Sequence, residues 1–309
     1  GARDEGFSTV LICTPKNKKL YESFGLADEL ISINSYADFP SIEADLAKKN
    51  VVIVPHGSFV AYLSLERNKS MRLAYYGNKD VLDWEADRKL QYKWMNEAGL
   101  RTPRFFKTPA DVDAPAIIKT YGAAGGKGYF FAKNPTECEN GIKNLPPGEK
   151  YVIQEYIIGV TMYIHYFYSP LTKKLEIMSM DRRYETNVDS LGRIPLKSQK
   201  GIEIEPSFVV VGNAPLVLRE SLLAEAYDMG ERIVASSQKL MPPRGLFGPF
   251  CLETVITPDQ KFYVIEISAR IVAGTNLFMN GSPYSWLSYN EPMSTGRRIA
   301  REIKNASKE

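Results

Sequence analysis

The chain is short of the residues that most metal and redox chemistry uses. Its 309 residues include only 2 His and 3 Cys. His56 and His165 cannot make a three-His zinc centre, and no HExxH occurs. Cys13, Cys138 and Cys251 are too few and too scattered for a disulfide framework or a thiolate zinc site. A metal would therefore be held by oxygen, which points to Mg²⁺ or a related ion and, through it, to phosphate. Apolar runs are no longer than a strand, so neither a signal peptide nor a membrane span is expected. A formal charge of +3 gives no mandate for nucleic acid or an anionic membrane. What is present is ordinary for a folded protein: 44% hydrophobic and 24% charged residues speak against intrinsic disorder. At about 150 residues per domain the length predicts about two domains.

The first part of the chain reads as a small α/β unit. Strand-like runs at 9–13, 30–33 and 51–54 alternate with helical stretches such as 42–49. The run 51–54 is apolar throughout, as a buried parallel strand is, and it ends in the polar turn Pro55-His56-Gly57-Ser58. Open α/β sheets place ligands just past the carboxyl ends of such strands, although an ordinary turn accounts for the residues equally well. The chain opens at Gly1 with GARDEGF, which reads as the end of a helix, so further residues are expected upstream. Residues 80–99 read as one amphipathic helix with Val81, Leu82, Trp84, Leu90, Trp94 and Met95 on its apolar face and Gly99 as its stop. Strands are expected at 116–119, 129–132, 151–156, 162–168, 175–180 and 208–211. Helices are expected over 216–240 and 294–306, and a hairpin over 249–268.

Two features carry chemistry. The first is IIKTYGAAGGKGYFF at 117–131. It is not a Walker A loop, because its first glycine is one residue too close and Lys127 is followed by Gly128. It is not GxGxxG either, and it joins strand to strand where both of those motifs open a helix. A hairpin loop with bare N–H groups and two lysines suits a lid over a polyphosphate. Gly125, Gly126, Lys127 and Gly128 would cover the phosphates, and Lys119 would meet their oxygens as a point charge. A plain mobile hairpin explains that composition less well.

The second feature is a pair of carboxylates, Glu253 and Glu266. If 258–261 form a four-residue hairpin loop, Thr257 faces Phe262 and Glu253 falls directly opposite Glu266. Like charges across a ladder are destabilising, and a magnesium ion between them would reverse that. Ser268 and Arg270 alternate onto the same face as Glu266. Between the two features, the segment ending in Glu155, Tyr156 and Ile157 closes a strand and suits hydrogen bonding to an adenine edge.

A helix ending in AGLRTP, a strand–Lys–glycine loop, a QEYI hinge and paired glutamates in E…ExSxR together resemble the ATP-grasp enzymes over 88–270. The resemblance implies an α/β chain with α+β elements: an ATP-grasp fold behind an N-terminal Rossmann-like pre-ATP-grasp domain. The expected division is 1–80 for that first domain, 81–166 for a small lid domain with the glycine loop, and 167–309 for a domain with the metal-binding hairpin. It further implies Arg88 and Lys119 as the ATP-binding basic residues, Glu155 as the adenine hinge, and Glu253 and Glu266 as ligands of Mg²⁺ or Mn²⁺. Two positions depart from the family pattern. Ser268 stands where Asn is usual, and no acidic residue follows the hinge, so Glu185 is the candidate ribose contact.

Further stretches, among them VPHGSFVAY, GNKDVLDWEADR, MDRRYETNVD and EISARIVAGTN, make the whole chain similar to the archaeal formate-dependent synthetase family of purine biosynthesis. Within that family Ser268 is not unusual. The resemblance implies a cytoplasmic ATP-dependent ligase that formylates the aminoimidazole-carboxamide ribonucleotide AICAR to FAICAR. Formyl phosphate would be the intermediate, and ADP and phosphate the products. It implies ATP, AICAR and formate as partners, no nucleic acid or membrane, a homo-oligomer with a hexamer as candidate form, and a Ser-His turn upstream of Gly1. Lys119 and Arg270 are the expected catalytic residues, and Ser58, Asn213, Thr275 and Asn276 the expected substrate contacts. Arg182 and Arg183 point opposite ways on a strand, so at most one faces a given ligand. His165 reads as a packed strand residue. An ATP-grasp ligase of other specificity and a nucleotide-binding protein without turnover are the competing readings. Lys119 together with both glutamates argues against the second.

Overall fold

The structure, a computed structural model, describes residues 1–25, 27–57, 62–121, 129–185, 187, 191–201 and 207–308. Near the N-terminus, β1 (Val10–Cys13) runs through α1 (Pro15–Phe24) into β2 (Glu29–Ser32), and the two strands pair in parallel. After α2 (Pro40–Lys48), β3 (Val52–Ile53) passes through α3 (Leu65–Ser70) to β4 (Ala74–Tyr75), again in parallel. Phe39, Leu46, Leu63, Met71 and Leu73 form the core of this α/β unit, with Ile12, Ile31 and Ile53 packed against them. The run 51–54 is not a buried strand. Val51 and Ile53 face the core, whereas Val52 and Val54 are 39% and 38% exposed on the opposite face.

The long helix expected over 80–99 is two helices, α4 (Val81–Ala86) and α5 (Arg88–Glu97). Asp87 is the reason. Its backbone is extended and its carboxylate accepts from the N–H groups of Lys89 and Leu90 at 2.8 and 3.1 Å, which caps a new helix. Gly99 does end α5, with φ +65° in the left-handed region.

A small antiparallel sheet follows, built from β5 (Phe105–Phe106), β6 (Ala116–Thr120), β7 (Phe130–Ala132) and β8 (Tyr151–Glu155) in the order β5-β8-β6-β7. One of its faces packs on α6 (Pro135–Lys143) through Ala116, Ile118, Ala132, Cys138 and Ile153. Strand alternation therefore turns Ile117, Lys119 and Gln154 to the opposite face, where they line a cavity.

The largest sheet comprises β9 (Val160–Ser169), β10 (Lys174–Glu185), β11 (Val210–Leu216), β12 (Gly248–Ile256) and β13 (Phe262–Ser268), antiparallel in the order β11-β10-β9-β12-β13. Its core-facing side packs on α7 (Leu223–Leu240) and on α5, where Trp94 is wholly buried and its indole N–H donates to the Ile233 carbonyl at 3.1 Å. Two short elements close the chain, α8 (Pro283–Tyr289) and α9 (Thr295–Ala306).

Three expectations need correction here. The boundary at 166/167 falls inside β9, which pairs along its length with β10 and β12, and α4–α5 pack into the core of the large sheet. The strand expected at 208–211 is β11, which runs on to Leu216, opposite Met180. Pro215 is tolerated there because β11 is an edge strand among the described residues. Accordingly the helix expected over 216–240 begins only at Leu223. No described helix is long and apolar enough to cross a membrane.

Candidate active site

A cavity of about 720 Å³ lies between the two antiparallel sheets and the N-terminal unit. On the large sheet one rung carries its chemistry: Glu266 faces Glu253, Glu253 faces Tyr163, and Tyr163 faces Asp181. The opposition of the two glutamates is as expected, but the route to it differs. The hairpin loop has three residues, with Thr257 N–H donating to Lys261 O and Ile256 opposite Phe262. A register shift beyond Thr254, which leaves Ile265 unpaired, then restores the alignment.

Each carboxylate has a cation at its side. Arg183 Nη1 lies 3.1 Å from Glu253 Oε1, and its guanidinium carbon sits 3.7 Å from the centre of the Tyr163 ring. Arg88 Nη1 lies 3.5 Å from Glu266 Oε2. Burial pushes the Glu253 carboxyl above the usual carboxylate range, and Arg183 opposes that shift. Two like charges in one buried rung are thus tolerated through two guanidiniums.

Lys119 enters from the small sheet and is buried. Desolvation, followed by the charge of Arg88, pulls its ammonium down to about 8. Arg88 is fixed by donating to Thr120 O at 3.2 Å and to the Tyr129 hydroxyl. Gly125, Gly126, Lys127, Gly128 and Ser58 lie outside the described residues, as does the side chain of Asn276. At the hinge, Tyr156 and Ile157 line the cavity with Phe208, and Glu185 joins them from β10.

Glu155 lines the cavity as well, but its carboxylate accepts from Arg104 Nε at 3.1 Å, and that guanidinium also holds Asp113. Strand alternation gives the inward side chain to Gln154, which is buried with Oε1 lacking a partner, while the Glu155 N–H donates to Arg104 O at 2.8 Å.

Residues of the N-terminal turn close the other end. Gly57 N–H donates to Ile271 O at 3.1 Å, and His56, which burial holds below its usual range, lines the cavity beside Arg270. Arg270 is held by Glu85 at 2.7 Å, and the second Glu85 oxygen accepts from Ala269 N–H at 3.0 Å.

Asn213 and Thr275, expected to touch substrate, instead serve a buried network behind the cavity wall. Asn213 donates to Asp181 Oδ2 at 2.7 Å, His165 Nε2 meets Asp181 Oδ1 at 2.5 Å, and Thr275 Oγ1 lies 3.3 Å from His165 Nδ1. Gly274 packs so closely that a Cβ there would sit 2.0 Å from Asp181 Oδ1. This network fixes Val272 and Ala273, which do line the cavity.

Arg183, Glu85 and Gln154 were not singled out as site residues by their sequence. Alternation along β10 with Glu185 was a usable signal for Arg183; Glu85 had none. The donor set fits an oxygen-preferring divalent cation. Two opposed, largely buried carboxylates leave coordination positions for phosphate oxygens and water, as Mg²⁺ prefers, and no cluster of three acidic, His or Cys ligands exists among the described residues.

A small antiparallel sheet set over a larger one, with basic residues facing paired carboxylates, defines an ATP-grasp protein. Solved structures agree on the fold. A crystal structure titled as an IMP biosynthesis protein PurP from Thermococcus kodakaraensis superposes with a TM-score of 0.77 at 31% identity, covering 99% of this chain and 92% of that one. An ADP complex of an N5-carboxyaminoimidazole ribonucleotide synthetase gives 0.70 at 15% identity, covering 98% and 72%. Family models described as a domain of unknown function (DUF1297) and a protein of unknown function (DUF1246) match residues 133–309 and 1–106. Relatives named 5-formaminoimidazole-4-carboxamide-1-(beta)-D-ribofuranosyl 5'-monophosphate synthetase are 52% identical in Pyrococcus horikoshii, over 100% of this chain and 92% of the relative, and 44% identical in Saccharolobus solfataricus, over 99% and 92%. The chain belongs to this synthetase family.

Proposed function

We propose that the chain is an ATP-grasp C–N ligase that uses ATP and formate to convert AICAR to FAICAR for IMP biosynthesis. The observation that carries the reading is one cavity. It brings Lys119 and the opposed Glu253 and Glu266 together with Arg270 and the 56–57 turn, so phosphoryl donor and acceptor ends meet. Family membership supplies the substrates.

On this reading the adenine lies against Tyr156, Ile157 and Phe208, and Lys119 and Arg88 neutralise the phosphates. Glu253 and Glu266 would hold Mg²⁺ or Mn²⁺, which when bound neutralises charge on the transferring phosphoryl group. A formate oxygen attacks the γ-phosphorus and ADP leaves with the electron pair of the broken bond, giving formyl phosphate. The AICAR amine then attacks the formyl carbon. Phosphate leaves and accepts the proton that the amine loses. Arg270, immobilised by Glu85, stabilises the oxygens that gain charge in both steps. Neither step requires a Cys or His nucleophile, in keeping with a chain poor in both.

We read 1–80 as the pre-ATP-grasp part, the small sheet as the lid, and the large sheet with its helices as the metal-bearing body. The family resemblance supports a cytoplasmic homo-oligomer. The test is ADP release with AICAR and formate together and with each omitted. Release only with both is expected; equal release without formate would remove formate as substrate, and none with both present would remove the reading.

A further inference from the structure

We propose that Arg183 receives the carboxylate of the small acid substrate, the formate of the reading above, on which this inference rests. Asp181, Arg183 and Glu185 share one face of β10, spaced about 6.6 Å apart at two residues per step. Glu185 lies at the nucleotide end of the cavity with Tyr156 and Phe208, and Asp181 lies beneath the 272–275 segment at the acceptor end. Arg183 falls between them, where phosphoryl donor and acceptor must meet.

Its guanidinium crosses the Tyr163 ring at 3.7 Å and reaches Glu253, two strands away, at 3.1 Å. The stack and the ion pair fix the plane of the group. Among the described residues only Nη1 has a polar partner, and Nε is buried without one. A rigid guanidinium with donors to spare, lining a cavity, matches a planar carboxylate in a way that an ammonium does not. Lys119 and Arg88 approach from the small sheet, and Arg270, whose Nε is likewise buried without a partner, is held by Glu85 near the acceptor end.

In the step this serves, a formate oxygen bonds to the γ-phosphorus while the bond to the β–γ bridging oxygen breaks, and ADP departs with that electron pair. No proton moves. Arg183 stays protonated, orients the attacking oxygen and offsets the repulsion between two anions.

The test compares the parent with R183K and R183Q. ADP release by the parent must first depend on formate; if it does not, the functional reading fails and Arg183 is not at issue. Given that dependence, the KM for formate should rise by about 10- to 100-fold in R183Q, the loss expected of a charge-assisted hydrogen bond. R183K, which keeps the charge but not the planar fork, should fall between. The KM for ATP should hold steady, whereas the Mg²⁺ dependence is free to move because Arg183 also pairs with Glu253. Saturation transfer from the parent to isotope-labelled formate in the presence of MgADP should disappear in R183Q. A shift in ATP or Mg²⁺ dependence with an unchanged formate KM would assign Arg183 to phosphate or to Glu253 and overturn the proposal. If R183Q does not fold, an unchanged formate KM in R183K overturns it alone.

Discussion

Glu85 and Arg270 form an ion pair of 2.7 Å in which both side chains are more than nine-tenths buried. The carboxylate comes from α4 and the guanidinium from just beyond β13. The pair therefore ties the helix that precedes the lid to the end of the carboxylate-bearing hairpin. The second Glu85 oxygen accepts from Ala269 N–H, so the same side chain also fixes the backbone beside Arg270. Removing one partner of a buried pair leaves an uncompensated charge, at a cost of about 3–5 kcal/mol. Glu85→Ala is expected to lose that much in urea denaturation. Glu85→Gln keeps an acceptor for Ala269 and should lose less. It should nonetheless release Arg270 and lower turnover by about 10²-fold, as removal of one transition-state donor does. Parental turnover in Glu85→Gln would show that Arg270 does not depend on this partner.

Glu253 and Glu266 lead to a prediction about metal-dependent binding. Like charges directly across a ladder are destabilising by about 0.2–1 kcal/mol, and here each also has a guanidinium neighbour. Neutralising either one relieves that repulsion but also unpairs its guanidinium, so in the metal-free protein the two effects oppose each other. Both Glu253→Gln and Glu266→Gln should lose the extra thermal stabilisation that MgADP gives over ADP alone, and both should lose turnover. Loss in one variant with parental behaviour in the other would mean that the two carboxylates do not share an ion.

That carboxylate pair was readable in the sequence because two one-residue errors cancel. The expected loop has four residues where there are three, and the register shift that leaves Ile265 out restores the count. Alternation is robust in the middle of a strand, so Lys119 and the single inward-facing arginine of the Arg182-Arg183 pair could be anticipated. It also separates the hinge neighbours: Gln154 holds the inward position, and Glu155, although it lines the cavity, turns its carboxylate to Arg104. Asn213 and Thr275 are expected as ligand contacts because they are polar and follow strand-like runs, and the structure engages Asn213 with the buried Asp181 and Thr275 with His165, which itself meets Asp181. The break at Asp87 and the Glu85–Arg270 pair were not legible. The first depends on a local cap overriding a helical period, and the second on residues far apart in the chain.

Lys119 carries a pH signature whose sign can be worked out. Burial and Arg88 lower its ammonium from 10.5 to about 8, so in the ligand-free protein it is half deprotonated near pH 8. Phosphate oxygens beside it favour the charged form and raise that value. MgADP binding near pH 8–9 should therefore take up a proton, and affinity should fall as pH rises through 8, by at most tenfold per unit. Calorimetry in two buffers of different ionisation enthalpy measures the uptake, and Lys119→Met should abolish it along with the slope. Ligand-free stability runs the other way. Between about 8 and 10.5 the unfolded chain binds more protons at this lysine than the folded one, so its contribution rises with pH. Subtracting the Lys119→Met stability profile from that of the parent isolates this contribution. A difference that falls with pH, or a nucleotide affinity that is flat through pH 8, would place the ammonium outside the phosphate site.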